Sequence, residues 1–204
     1  LHVPGAYVDE RVVPAARLVK IPPEVTDAQA AASMLKGLTA QYLLRSTYRV
    51  KRRHPVVIHA AAGGVGLLAV QWARHLGAEV IAIVGSERKA EVAREHGAHH
   101  VLLQDQPDLV ARVRGVTKGR GVPVVYDSVG RDTFTASLDC LRPRGLMVTF
   151  GNASGPVPPF APLELSKRGS LYLTRPTLFH YIATRRELER ASAELFEVIG
   201  SGVV

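Results

Sequence analysis

The sequence predicts an α/β domain in which a doubly wound parallel sheet carries helices on both faces. Over most of the chain, apolar runs with the length of strands alternate with helical stretches of roughly 10 to 13 residues. Each strand-like run is apolar at consecutive positions, as in 79–84 and 122–129, and such a strand needs cover on both faces. A chain of 204 residues is long enough to build one core of this kind.

The order of the elements follows from periodicity and capping signals. Thr26 and Gln29 have the spacing of a capping box, which predicts the start of a helix. That helix covers residues 28–45, and we expect its many Ala and Leu side chains to be well buried. Thr184 and Glu187 give the last helix the same signal. The other predicted elements are strands at 56–60, 79–84, 99–103, 122–129, 145–151 and 170–174, and helices at 65–76, 86–97, 107–117, 133–141 and 184–202.

Residues 1–25 differ from the rest of the chain. Tyr7–Val8 and Val12–Val13 are short strand-like pieces, and three prolines between positions 14 and 23 interrupt the remainder of this segment. We therefore divide the chain into an irregular lead-in at 1–25 and a folded domain at 26–204. The sequence has no initiator methionine, so we expect a piece excised from a longer chain, and its first residues do not have the pattern of a signal peptide.

Composition argues against several classes of protein. No apolar run approaches the ~18 residues that span a bilayer, so we expect no membrane segment. The single cysteine, Cys140, rules out an internal disulfide, fits a reducing cytoplasm, and is expected to be a small buried side chain. The eight histidines have no metal-ligand spacing, so we predict no metal site. The net charge of +8 is compatible with an anionic small molecule or with nucleic acid.

The stretch HAAAGGVG at residues 59–66 joins a predicted strand to a predicted helix. Such a turn presents free backbone N–H groups at a helix N-terminus, where the helix dipole favours an anion. We expect Gly63 to allow the close approach of a pyrophosphate and Gly66 to let the helix sit close to the strand. Ala61 stands where the Gly-x-Gly-x-x-Gly fingerprint has its first glycine. The strand before the turn, with the helix and second strand after it, nevertheless predicts a dinucleotide site in a Rossmann-type domain.

The end of the second strand indicates which dinucleotide is bound. An NAD site places an acidic residue there, about 20 residues after the glycine turn, to hold the ribose diol. This chain instead has Gly85 and Ser86 at the tip, followed by Arg88 and Lys89 in the first helical turn. Cations at that place oppose the helix dipole, and the 2′-phosphate of NADPH would explain them. The alternative is that both cations are solvated surface charge.

Five stretches together resemble a known family. They are AAASMLKGLTAQYLL (30–44), HAAAGGVG (59–66), YDSVG (126–130), GLMVTFGNASG (145–155) and GSLYLTRPTL (169–178). The chain resembles the NADPH-dependent, zeta-crystallin-like quinone oxidoreductases of the medium-chain dehydrogenase/reductase superfamily. The resemblance implies hydride transfer from NADPH to a quinone without catalytic zinc. It also implies an N-terminal GroES-like domain, most of which is missing here, so this piece should bind cofactor and reduce quinone very poorly alone.

The resemblance also assigns the phosphate-binding residues by position. Gly64 and Val65 would meet the pyrophosphate of the cofactor. The 2′-phosphate would be surrounded by Gly85, Ser86 and Lys89. These positions lie in the same two places, the glycine turn and the tip of the second strand, that the sequence pattern indicates independently of the resemblance.

One assigned position departs from the family pattern. Many relatives have a tyrosine after the third strand that touches the 2′-phosphate, and Gln104 stands there in this chain, which leaves the strength of the NADPH preference open. Thr39 and Tyr42 would face the active-site cleft. The residues assigned along the cofactor and its nicotinamide half are Ser128, Val129, Phe150, Gly151, Asn152, Thr174 and Pro176.

No catalytic side chain can be identified in the sequence. Phe150 has a core position as its alternative, and Tyr126 fits the core better than a catalytic role. In enzymes of this kind the cofactor carries the chemistry and the protein orients it. Two other functions remain as alternatives: an enoyl or alkenal reductase of the same superfamily, and an RNA-binding zeta-crystallin-like protein. The aromatic content of 6% and the lack of an RNP-type motif argue against RNA.

The expected partners rest on the same reasoning. We expect a quinone substrate, a cytoplasmic location, no membrane and no nucleic acid. The predicted strand at Ser170–Thr174 would be the last of the sheet, with an exposed apolar edge that can pair with another chain. The resemblance also implies dimerisation through this region, so we expect a homodimer.

Overall fold

A computed structural model describes Gly5 and residues 7–204. The described residues form one six-stranded sheet whose strands are β1 (Pro55–His59), β2 (Glu79–Val84), β3 (His100–Leu103), β4 (Val122–Asp127), β5 (Leu141–Thr149) and β6 (Tyr172–Thr174). Neighbouring strands are all parallel, and their order across the sheet is β3-β2-β1-β4-β5-β6. The predicted doubly wound parallel sheet is therefore confirmed, with its change of winding direction between β1 and β4.

Helices connect the strands and cover the sheet. They are α1 (Asp27–Tyr42), α2 (Gly64–His75), α3 (Glu87–Glu95), α4 (Leu109–Val116), α5 (Phe134–Cys140), α6 (Leu163–Lys167), α7 (Leu178–Tyr181) and α8 (Arg185–Gly200). A 3₁₀ turn lies at Ala15–Arg17, and a π-helical turn at Leu43–Thr47 follows α1. Both predicted capping boxes form, at the starts of α1 and α8. The sequence did not predict α6 and α7, since helices of five and four residues show too little periodicity to be recognised.

Alternate side chains of each central strand enter two separate hydrophobic cores. Val56 and Ile58 of β1 face a core that is closed by α1, α2, α3 and α8. Val57 faces the opposite core, where α4 and α5 supply Val113 and Leu138. Because both faces of the sheet are buried, the consecutive apolar positions seen in the sequence are required.

Several details of the sequence prediction are wrong. One is the start of β6, which lies at Tyr172 rather than at Ser170, where the backbone is left-handed with φ 57°. No strand forms at Tyr7–Val8 or Val12–Val13, because neither piece pairs with β3 or β6, the two edge strands of the sheet. Most of the first half of α1 is exposed apart from Ala30, and Leu35 keeps 55% of its surface, because only one face of this helix packs on α2 and α8. β5 begins at Leu141 rather than at 145, with an irregular register against β4. β4 ends at Asp127 rather than at 129, where the backbone leaves the sheet to form a loop.

The parallel arrangement gathers the ends of all six strands at one edge of the sheet, here called the carboxyl edge. The glycine turn follows β1, and the tip at Gly85 follows β2. The loops after β4 and β5 complete the same edge. Ligands of open parallel sheets bind at this edge, at the place where the strand order reverses.

The start of α2 lies directly against the end of β1. A Cβ atom on Gly66 would stand 2.3 Å from the carbonyl oxygen of Ala60 and 2.8 Å from the Cα of Ala61. Neither contact could be relieved by rotating a side chain, since both atoms are backbone. Gly66 therefore sets how closely the helix approaches the strand, as the sequence predicted.

We expect Gly66→Ala to destabilise the fold by ~1–3 kcal/mol, because the new methyl group overlaps rigid backbone. Gly115→Ala is the matched control: it lies within α4, where nothing stands within 4 Å of the added Cβ. That control should be neutral or stabilising by roughly 0.5–1 kcal/mol, because alanine favours helix over glycine. Urea unfolding of the two variants tests this, and a loss of equal size in both would contradict the role of Gly66.

Candidate dinucleotide-binding site

The glycine turn opens the N-terminus of α2 towards solvent. Gly63 is the N-cap residue and makes no side-chain cap, and the first turn of α2 contains no acidic side chain. Among the described residues, the N–H groups of Gly64, Val65 and Gly66 have no acceptor. These unpaired donors and the positive end of the helix dipole suit an anion, and a pyrophosphate fits both.

One residue of the turn has an unusual backbone. Ala60 adopts the left-handed conformation with φ 48°, which glycine adopts without strain. The N–H of Gly63 donates to the Ala60 carbonyl at 2.8 Å and closes the turn. The first glycine of the fingerprint is replaced by Ala61 in this chain. Ala61 is fully buried, and the residue with the left-handed backbone is its neighbour Ala60, so glycine is not needed at position 61.

The tip of β2 brings together the residues predicted for the 2′-phosphate. Gly85 is exposed, and Ser86 caps α3 by accepting the N–H of Lys89 at 3.4 Å. Arg88 and Lys89 are exposed in the first turn of α3, and neither forms an ion pair within the described residues. Gln104 joins them because its N–H donates to the Val84 carbonyl at 2.9 Å, which places it next to Gly85.

The loops after β4 and β5 form the other half of the edge. Ser128 and Gly151 are packed so closely that a Cβ on Gly151 would lie 2.4 Å from the Ser128 carbonyl oxygen. The carbonyl of Val129 accepts the N–H of Ser154 at 2.8 Å and so ties the second loop to the first. Asn152 is exposed, whereas Phe150 is half-buried and packs on the core below α1 and α2. Both interpretations of Phe150, cofactor contact and core, are compatible with this position.

An arginine that the sequence did not single out connects this half of the site to β6. Arg175 lies between Thr174 and Pro176, the two residues assigned there by resemblance. Its Nη1 donates to the Gly151 carbonyl at 2.9 Å and to Thr149 Oγ1 at 3.4 Å. The end of β6 is thereby held against the loop after β5.

The end of α1 contributes two side chains near the same edge. Tyr42 is buried and stacked on Tyr181, with ring centroids 4.5 Å apart and an interplanar angle of 14°. Burial raises the pKa of Tyr42 to about 12, with the charge of Arg175 opposing the shift. Its hydroxyl therefore keeps its proton at neutral pH. Thr39 is half-buried, and its Oγ1 donates to the Leu35 carbonyl at 2.8 Å.

Tyr126 belongs to the core, as the sequence favoured. It is 1% exposed, and its hydroxyl donates to the Leu43 carbonyl at 3.1 Å. Burial raises its pKa well above the ordinary value for tyrosine. A fully enclosed hydroxyl with a backbone partner has no path to a substrate.

A buried polar network that the sequence analysis missed lies beneath the site. Oδ1 of Asp127 accepts the N–H groups of Val129 at 2.8 Å and Gly130 at 3.1 Å. Its Oδ2 accepts the hydroxyls of Thr133 at 2.7 Å and Ser137 at 2.8 Å. The carboxyl group has no exposed surface, and the four donors compensate for its burial. An acid ending an otherwise apolar strand was the signal that could have revealed it.

His59, the last residue of β1, extends this network to the neighbouring strand. Its Nε2 lies 3.0 Å from Ser137 Oγ. Because the Ser137 hydroxyl donates to Asp127, it accepts from Nε2–H, and this fixes the tautomer. Nδ1 of His59 is then an unprotonated acceptor, and it has no partner among the described residues. Burial lowers the pKa of His59, against the opposing charge of Asp127, so the ring is neutral.

The described residues contain no group of three or more His, Cys, Asp or Glu side chains that could hold a metal ion. In the same part of the chain, no helix is both long and apolar enough to cross a membrane.

The sheet order and the open glycine turn define a Rossmann-type dinucleotide-binding domain. Residues 64–197 match the family model described as zinc-binding dehydrogenase, and the chain belongs to that family.

Known proteins similar to this chain include oxidoreductases from bacteria. A quinone oxidoreductase of Salmonella typhimurium is 54% identical over 200 residues, and a 2-haloacrylate reductase of a Burkholderia species is 50% identical over 203 residues. Each alignment covers 98% of this chain and 61% of the relative, so the chain spans less than two thirds of the relatives' length. The solved structure of an Escherichia coli quinone oxidoreductase complexed with NADPH has a TM-score of 0.88 at 54% identity, covering 91% of this chain and 57% of that one.

The buried imidazole of His59 should make stability depend on pH. The unfolded chain binds a proton at His59 near the ordinary pKa of 6.5, whereas the folded chain does so only at lower pH. As pH falls through this window, the free energy of unfolding should decrease, by up to ~1.4 kcal/mol per pH unit for this one proton. His59→Gln, which keeps a donor towards Ser137, should make the decrease shallower.

Chemical denaturation at intervals between pH 8 and roughly pH 5 measures this dependence. His180→Gln is the control, because His180 is exposed on α7. Equal pH dependence in the wild type and in His59→Gln would show that His59 does not supply this proton.

Proposed function

We propose that this chain is the NADPH-binding domain of an oxidoreductase that transfers hydride from NADPH to a quinone. The observation that carries the proposal is the tip of β2, where Arg88 and Lys89 stand without ion-pair partners beside an open glycine turn. Relatives named quinone oxidoreductases, one of them solved with NADPH, support it. Residues 26–204 form the domain in this proposal, residues 1–25 form the lead-in, and the single cysteine supports a cytoplasmic location.

The residues at the carboxyl edge fit the parts of this cofactor. The N–H groups of Gly64 and Val65 would hold the pyrophosphate. Around the 2′-phosphate we place Ser86, Arg88 and Lys89, with Gly85 and Gln104 beside them. The nicotinamide half would lie along Tyr42, Ser128, Val129, Phe150, Gly151, Asn152, Thr174 and Pro176.

The cofactor supplies the hydride in this proposal, and the chain's own residues orient it. Arg175 and the close contact of Ser128 with Gly151 make this wall of the site rigid. Tyr42, which is 2% exposed and stacked on Tyr181, would support this wall from beneath without adding a charge. We propose that the opposite wall belongs to the additional length found in the relatives. The present chain would then bind cofactor but reduce quinone poorly, since positioning of donor and acceptor is worth ~7–11 kcal/mol of the barrier.

A second acceptor class is favoured by one observation. The relative that is 50% identical over 203 residues is named a 2-haloacrylate reductase. Quinones and α,β-unsaturated acids both accept hydride at an electron-poor carbon–carbon double bond conjugated to a carbonyl. NADPH oxidation with a simple benzoquinone and with 2-chloroacrylate, measured on a chain of the relatives' length, distinguishes the two.

We also propose a homodimer through β6. This strand ends the sheet within the described residues, so one of its edges has no partner strand. Tyr172 at the same place keeps 62% of its surface exposed. A parallel-sheet edge with an exposed aromatic side chain can pair with the same edge of a second copy.

NADPH should bind more tightly than NADH, and Lys89 should supply part of the difference. We expect Lys89→Ala to weaken NADPH binding about tenfold, which is ~1.4 kcal/mol, and to leave NADH binding nearly unchanged. The effect is at the low end for a charge-assisted hydrogen bond because the site is exposed. Titration of intrinsic fluorescence or calorimetry measures both affinities.

Arg94→Ala is the matched control for this experiment. It removes one positive charge from the same helix, but from the last turn of α3 rather than the first. It should leave both affinities unchanged. Equal losses of NADPH and NADH affinity in Lys89→Ala would show that Lys89 does not recognise the 2′-phosphate.

Sedimentation at micromolar concentration should give a mass close to two chains. Tyr172→Lys places a charge at the unpaired edge and should shift the mass towards one chain. Tyr7→Lys makes the same substitution at a fully exposed tyrosine outside the sheet and should leave the dimer intact. A monomeric wild type would contradict the proposed dimer.

A further inference from the structure

Lys36 of α1 extends its side chain across the glycine turn. A Cβ atom placed on Gly64 would lie 2.8 Å from Cδ and Cε of Lys36 and 3.0 Å from its Nζ. Lys36 is exposed and takes no part in the ion pairs of the described residues. Its ammonium group therefore stands at the N-terminus of α2 without a counter-charge.

This arrangement is unfavourable in the chain by itself. The N-terminus of a helix carries a positive partial charge, and a lysine beside it is repelled. Three other helices place an acid in their first turn, Asp27 in α1, Glu87 in α3 and Glu187 in α8, whereas α2, like α4, has none. Two positive groups are thus held together here with no acid to balance them.

The contact with Gly64 does not by itself fix the position of Lys36. The atoms nearest to Gly64 are the far end of a flexible side chain, which could move aside at little cost. The far end of the Lys36 side chain lies beside the backbone of Gly64, which is exposed. An anion bound between the ammonium and the N–H groups of Gly64 and Val65 would attract all of these positive groups and so offset their mutual repulsion.

We propose that the ammonium of Lys36 binds the pyrophosphate of the dinucleotide together with the N–H groups of Gly64 and Val65, an inference that rests on the proposed function. Two lysines then divide the recognition of the cofactor. Lys89 faces a group that only NADPH has, and so supplies discrimination. Lys36 faces a group that NADPH and NADH share, and so supplies affinity without discrimination.

The test compares the same substitution at both lysines. Lys36→Met removes the charge and keeps much of the length of the side chain. It should weaken NADPH, NADH and ADP by a similar factor of about ten, and leave 2′-AMP, which has no pyrophosphate, unchanged. Lys89→Met should show the opposite pattern, with losses for NADPH and 2′-AMP only. Lys36→Arg should restore most of the affinity, because it restores the charge.

Lys51→Met is the control, since Lys51 precedes β1 at the opposite edge of the sheet and should change none of the affinities. Thermal unfolding shows whether each variant folds, and Lys36→Met should unfold at or slightly above the wild-type temperature because a repulsion is removed. Unchanged NADPH and NADH affinities in a folded Lys36→Met would overturn the role of Lys36, as would a loss for NADPH alone. A wild type that does not bind NADPH would overturn the proposed function itself.

Discussion

The carboxylate of Asp127 is the interaction on which both halves of the site depend. It is buried at the reversal of the strand order, and its four hydrogen bonds reach the loop after β4 and the start of α5. Through Ser137 it also reaches His59, the last residue of β1. A buried charge is tolerated only when such donors are in place, so the network restricts the loop at 128–130 to one conformation. Ser128 of that loop packs against Gly151 in the loop after β5. Arg175 in turn donates to the Gly151 carbonyl and so connects the end of β6 to the same loop.

The two helices that meet the site differ in how their N-termini are satisfied. At α3, Ser86 caps the helix and Glu87 offsets its dipole, so the cations Arg88 and Lys89 are available to an external group. At α2 there is neither a side-chain cap nor an acid, and the N–H groups themselves are available. One terminus therefore presents side-chain charge and the other presents backbone donors. A dinucleotide with a phosphate on its ribose and a pyrophosphate in its centre matches this division.

Local signals predicted most of the fold, and contacts between distant residues account for what they missed. Glycine spacing located the turn before α2, and capping boxes located α1 and α8, because each is decided within a few residues. The start of β5 was missed because Pro143 and Gly145 suggest a turn, and the ladder with β4 is in fact irregular there: Leu141 pairs with Val122, and regular pairing resumes at Leu146. Lys36 and Arg175 gave no signal at all, since their positions depend on how α1 and β6 pack against the carboxyl edge.

Charge is distributed unevenly along the site, and this constrains how a cofactor can lie in it. Lys36, Arg88 and Lys89 surround the phosphate-binding half. The other half contains the half-buried Phe150 and the buried, stacked Tyr42, and the guanidinium of Arg175 there already donates to the Gly151 carbonyl. This distribution of charge favours an orientation in which the phosphates of the cofactor face these three cations and its uncharged ring faces Phe150. Burial raises the pKa of Tyr42, so the side chain adds no charge here, and the part we propose for this half of the site is to orient the cofactor.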